Sequence, residues 1–193
     1  MPAQHKKRVI IVTDGDSQAQ KAVEVAAMNV GGRCISASSG NPTTLTAEEI
    51  IDLVSQTPYD PVLVMVDDDG NQHQGRGERV LEKLLHSPEI EIIGALAVAS
   101  ATQRVQGITV DFSITRDGKI TQAAVDKAGY ERTDKDSTIY GDTVDTLNSR
   151  KIPVIIGIGD IGKMDHHDDY ARGAPITTKA VQFILNQTIN RQG

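Results

Sequence analysis

The chain is short of the residues that several common functions require. It has no tryptophan, two phenylalanines and four tyrosines, so aromatic side chains make up 3% of its 193 residues. Stacking platforms for single-stranded nucleic acid are built from such rings, and the chain has little material for one. Positive charge is also scarce: 20 Lys and Arg against 26 Asp and Glu leave a formal net charge of -6. Duplex binders neutralise phosphates with clustered Lys and Arg, so no nucleic-acid partner is expected. The single cysteine, Cys34, excludes an intramolecular disulfide, which suits a reducing compartment. No apolar run approaches the roughly 20 residues of a spanning helix; the most apolar stretch, 92–101, is about half as long. The basic start, Met1 to Arg8, feeds straight into a strand with no signal-peptide pattern. Contact with a membrane is therefore expected to be peripheral or through a partner.

What is present is a globular profile, 38% hydrophobic and 24% charged, long enough to bury roughly 70% of the unfolded chain's surface. The length fits one α/β domain over 1–193. Apolar runs alternate with helical stripes. Val9–Val12 reads as a strand buried on both faces. Asp16 is placed to cap a helix carrying Ala19, Ala22, Val23, Ala26 and Ala27, which Gly31-Gly32 ends. Arg33–Ala37 reads as a second strand. Thr46 and Glu49 form a capping box opening a helix to about Gln56. Val62–Val66 is a third strand, Arg76–His86 a helix, and Ile90–Ala99 contains a fourth strand. Asp117-Gly118 between Thr109–Ile114 and Lys119–Val125 predicts an antiparallel hairpin, an elaboration over about 105–127. Gly141–Arg150 reads as helical, a buried strand covers Pro153–Ile156, and an amphipathic helix, 176–189, closes the chain. The predicted class is α/β: three layers, a mainly parallel sheet, and the hairpin at one edge.

Two acidic clusters follow two of the predicted strands. Thr13-Asp14-Gly15-Asp16 comes after the first, and Asp67-Asp68-Asp69-Gly70 after the third. Ligands of open α/β sheets bind beyond the carboxyl ends of the strands, and strand neighbours stand about 4.8 Å apart. Carboxylates converging there repel unless a cation lies between them, so Asp14, Asp16, Asp67 and Asp69 are candidate ligands for a hard cation such as Mg²⁺. The alternative is that Asp16 and one of Asp67–Asp69 cap helices while the others face water.

Two further segments invite chemistry. Gly157-Ile158-Gly159-Asp160-Ile161-Gly162 spells G-x-G-x-x-G, but no second strand with an acid about 20 residues on follows it, as a dinucleotide site needs. Asp165-His166-His167-Asp168-Asp169 is contiguous, whereas zinc ligands come from separated elements. The stretch Lys163–Gly173 is expected to be a surface loop for partner contact, with charge reversal at Asp165 and Asp168 leaving the fold intact.

The strand–acid, two crossovers, strand–Asp-x-Asp order over about 8–98 resembles the Rossmann-like Toprim arrangement. That resemblance implies magnesium on Asp14, Asp67 and Asp69 and a phosphoryl-transfer or hydrolytic enzyme; the family's first acid is usually glutamate, here Asp14. Over nearly its whole length the chain also resembles the stage V sporulation protein AE family (SpoVAEa type) of spore-forming Bacilli. The matching blocks are Val12–Asp16, Gly31–Ser36, Gly40–Thr43, Pro58–Met65, Tyr140–Asp145, Gly157–Asp165 and Gly173–Ala180. This resemblance implies a soluble forespore or spore protein with a role in germination. It would lie peripherally at the spore inner membrane, with SpoVA-type membrane proteins that move dipicolinic acid as partners. It hands over no catalytic residues and implies nothing about homo-oligomers.

Overall fold

A computed structural model describes residues 5–69, 75–101, 106–141 and 143–192. Its main sheet has seven strands: β1 (Lys7–Val12), β2 (Arg33–Cys34), β3 (Val62–Met65), β4 (Ile90–Val98), β6 (Phe112–Ile114), β7 (Ile120–Thr121) and β9 (Ile155–Ile158). They lie in the order β2-β3-β1-β4-β9-β6-β7. All neighbours pair in parallel except β6 and β7. The latter form the expected edge hairpin, with Gly118 at φ +80° where a side chain would be strained. The remaining strands, β5 (Ile108–Thr109) and β8 (Thr138–Ile139), make a separate antiparallel pair.

Alternation along β1 explains the layers. Val9 and Ile11 face one side, Ile10 and Val12 the other. The first side is covered by α2 (Ala47–Gln56) and α3 (Arg76–His86), which bring Ile50, Val54, Leu81 and Leu84. The second side is covered by α1 (Ser17–Asn29) and α4 (Pro175–Gln192), which bring Ala22, Val23, Ala26, Val181 and Ile184. Contact with α4 is close: a Cβ on Gly94 of β4 would stand 2.6 Å from Ile184 Cγ2. The capping box at Thr46 and Glu49 is present, and Asp16 caps α1 through hydrogen bonds from the N–H groups of Gln18 and Ala19.

Several expected boundaries move. The second strand stops at Cys34, and Ser36–Ser38 is a 3₁₀ turn whose Ser38 hydroxyl accepts a bond from Met65 N–H. The run from Thr109 is broken at Val110 and Asp111, where the chain passes from the small sheet to the large one; Asp111 accepts the N–H of Ile155 at 2.7 Å. Val144–Ser149 is 3₁₀ rather than α-helix. The strand expected over Pro153–Ile156 runs instead over Ile155–Ile158, because those residues pair with β4 and β6.

Cys34 is buried, and burial, with Glu24 adding to it, pushes its thiol up to about 12. A thiolate is needed for reaction with disulfide or maleimide reagents. Native protein at pH 8 should therefore resist a colorimetric thiol reagent, and labelling should track denaturant unfolding. Full labelling before unfolding would contradict this burial.

Candidate functional site at the carboxyl ends of the strands

The parallel register decides which residues meet. Val12 stands opposite Met65 of β3 and Leu96 of β4, and Val98 opposite Ile158 of β9. Four strands thus end at nearly one level, and a polar side chain follows two residues beyond each end: Asp14, Asp67, Ser100 and Asp160. Together with Thr13, Asp16, Asn41, Lys127 and Lys163 they line a cleft of about 140 Å³.

Gly15 makes the convergence fit. A Cβ there would lie 2.3 Å from the carbonyl oxygen of Gly40 and 2.8 Å from Asp67 Cβ. The Gly40 N–H donates to the Gly15 carbonyl at 2.9 Å, drawing the segment 39–43 across the ends of β1 and β3. Thr43 fixes the other side, its hydroxyl accepting the Asp67 N–H and its N–H donating to the Asp67 carbonyl.

Each expected ligand has a definite place. Asp14 is 8% exposed. Burial, then the charges of Asp16, Asp67 and Asp160, push its carboxyl up to about 7, against a hydrogen bond from Asp16 N–H that favours the charged form. Asp16 divides its oxygens: Oδ1 caps α1 and Oδ2 receives Lys163 Nζ at 2.6 Å. Burial would raise its pKa, but Lys163 and the helix amides outweigh that and hold it below the usual range. Capping and facing the cleft, the two alternatives the sequence left open for Asp16, thus coexist in one residue. Asp67 is buried and accepts from the N–H groups of Gly15, Asp68 and Asp69, which ties the two acidic turns together. Asp68 caps α3, accepting from Gly77 N–H at 2.9 Å. Asp69 is exposed, at φ 53°, and does not line the cleft.

The residues that sequence reasoning missed are Asp160, Lys163 and Lys127. Lys163 Nζ lies 3.2 Å from Asp160 Oδ1, and Lys127 Nζ 3.8 Å from Asp160 Oδ2. Burial would lower the pKa of Lys163, but Asp16 and Asp160 more than offset it, so its ammonium is retained. The signal was the strand-end rule itself: with β9 ending at Ile158, Asp160 stands where Asp14 stands after β1. Reading that strand as ending at Ile156 put Asp160 out in a glycine loop. Carboxylate oxygens of Asp14, Asp16 and Asp160 lie within 4.8 Å of one another.

The model of the stage V sporulation protein AE1 family matches residues 8–188, which includes all of these residues. The chain belongs to that family. Membership carries a role in sporulation. Neither a curated protein nor a solved structure matches the chain. No helix among the described residues of this SpoVAE protein is long and apolar enough to cross a membrane.

The segment following Lys163 departs from a simple surface loop. Asp165, His166 and His167 are exposed, but Met164 and Asp168 are buried. Asp168 is fully enclosed and receives four hydrogen bonds: Gly162 N–H at 2.9 Å, Ile176 N–H and Thr177 N–H at 2.9 Å each, and the Thr177 hydroxyl at 2.6 Å. Burial nonetheless raises its pKa, the donors opposing. It is the anchor of the α4 N-terminus, so the expectation that charge reversal there spares the fold is withdrawn. Asp165 keeps the surface role: its side chain is 75% exposed and pairs with Arg116 at 2.8 Å.

Proposed function

We propose that this protein is a non-catalytic accessory of the spore membrane apparatus that moves dipicolinic acid, held peripherally at the inner membrane by SpoVA-type proteins. The observation that carries the reading is the family match over 8–188. The lack of a spanning helix among the described residues is compatible with attachment through a partner. The docking surface in this reading is the face where Asp165 pairs with Arg116 and Arg116 lies 4.6 Å from the ring centre of Tyr130, itself 56% exposed. Tyrosine and arginine are enriched where interfaces gain most of their energy.

Pull-down from spore membranes tests it. Wild-type protein should recover SpoVA-type membrane proteins. Asp165→Lys with Tyr130→Ala should recover far less while folding normally, since a surface ion pair contributes at most about 1 kcal/mol. Recovery of none by the wild type removes the reading, and equal recovery by the variant moves the contact elsewhere.

The second reading is a Mg²⁺-dependent phosphoryl-transfer or hydrolytic enzyme. What favours it is Asp14 and Asp67 at neighbouring strand ends in one cleft. The exposed position of Asp69 removes one of the three acids that reading relies on.

A further inference from the structure

The cleft holds a carboxylate whose needs the protein does not meet. Asp14 is more than nine-tenths buried, and its only hydrogen bond among the described residues is the 3.2 Å one from Asp16 N–H to Oδ1. Oδ2 receives none, and no Lys, Arg or His among the described residues pairs with it, although the residue lines the cleft. Burying a carboxylate with so few partners is costly, so the group either keeps its proton or, once ionised, takes a donor or a cation from the cleft. Lys163 does not supply it. Its Nζ is committed to Asp16 and Asp160.

The spacing says which kind of group fits. Oxygens bound to one ion stand at most twice the metal–oxygen distance apart, about 4.2 Å for Mg²⁺ and roughly 4.6–5.2 Å for Ca²⁺. Oxygens of Asp14, Asp16 and Asp160 lie within 4.8 Å of one another. Three carboxylates are hard oxygen ligands, and a cleft of about 140 Å³ has room for an ion and a few waters to complete its shell. Asp67 is spent on the Gly15, Asp68 and Asp69 amides, which hold the wall of the cleft in place.

We propose that Asp14, Asp16 and Asp160 form a divalent-cation site in which the cation exchanges with the ammonium group of Lys163. The two positive groups compete for the same oxygens of Asp16 and Asp160. At separations near 4 Å their repulsion is large even in a partly solvated site. Lys163 is able to leave, because its side chain is 40% exposed and its backbone, beyond β9, need not move for the chain of methylenes to swing outward. The lysine thereby keeps the acids neutralised when no ion is bound and sets the cation concentration at which the site fills. The carboxylate pair Asp16–Asp160, with Lys127 at its outer edge, thus serves either cation. This inference does not rest on the docking reading; an ion could bind whether or not the protein meets a membrane partner.

Mn²⁺ is a suitable probe, because free Mn²⁺ is counted directly by electron paramagnetic resonance. Titration of the full chain should show one Mn²⁺ per chain, displaced by excess Mg²⁺ or Ca²⁺. Lys163→Met, with Lys163→Gln as a second version, should bind it at least about tenfold more tightly than wild type, since a competing charge is gone. Asp160→Asn and Asp14→Asn should each weaken wild-type binding by at least about tenfold, and circular dichroism should show both folded. Asp69→Asn, outside the cleft, should change nothing. Equal affinity in wild type and both Lys163 variants would overturn the exchange. Mn²⁺ binding unaffected by Asp160→Asn and Asp14→Asn, or no stoichiometric binding by any variant, would overturn the site. Loss of spore-membrane recovery with Mn²⁺ binding intact would bear only on the docking reading.

Discussion

Replacing Asp168 by alanine should cost the protein roughly 3–5 kcal/mol, among the largest effects of any single polar substitution in it. The residue is wholly buried and accepts from three backbone N–H groups and one hydroxyl. Two of those amides, of Ile176 and Thr177, belong to the first turn of α4, whose four leading N–H groups have no partner within the helix. Alanine leaves them enclosed and unpaired and also removes a negative charge from the positive end of the helix dipole. The loss extends beyond the cap, since α4 closes one face of the sheet through Ala180, Val181 and Ile184. For a chain of this size the melting temperature should fall by on the order of 10 °C. Asn at 168 retains an acceptor and should fall in between. Asp165→Ala is the matched control, three residues away and outside the core, and should shift stability by no more than about 1 kcal/mol. Equal melting shifts for the two alanine variants would show that Asp168 is not the anchor described.

Asp14→Asn should have the opposite sign. In the folded protein Asp14 holds its proton up to about pH 7, whereas an aspartate in the unfolded chain loses it near the ordinary value of 3.8. Below the lower value both states are protonated and the group contributes no pH dependence. Between the two values the folded state binds more protons than the unfolded state, so stability falls as pH rises; above about 7 the penalty is fully developed. The full span corresponds to roughly 4 kcal/mol. Urea unfolding at pH 5 and pH 8 should therefore show the wild type losing stability over this interval much more steeply than Asp14→Asn. At pH 8 the asparagine variant should be the more stable protein. Parallel pH dependences for the two chains would mean that Asp14 is solvated or already paired. A divalent cation added at pH 8 should narrow the gap by stabilising the wild type, since it supplies the charge that the buried carboxylate lacks.

The sequence by itself determined a great deal about this protein wherever the signal is local. Helix starts follow from side chains that bond their own backbone, as at Asp16 and Thr46. The buried faces of α1, α2 and α3 follow from a 3.6-residue repeat, and the Asp117-Gly118 turn from glycine's tolerance of positive φ. Even the first half of the site was legible, because Asp14 and Asp67 each stand just past a continuous apolar run, where α/β sheets bind ligands. What only the tertiary structure decided depends on which strands are neighbours and in what register. The placement of β9 beside β4, with Ile158 opposite Val98, brings Asp160 and Lys163 from the far end of the chain to residues 14 and 16. No periodicity encodes that pairing, since a buried apolar strand looks the same whichever partner it takes. Burial likewise separates Asp165 from Asp168. The two look alike in a polar run of five residues, yet one faces water and the other holds the first turn of α4, because helix amides enclosed by packing need an acceptor that the helix itself does not contain.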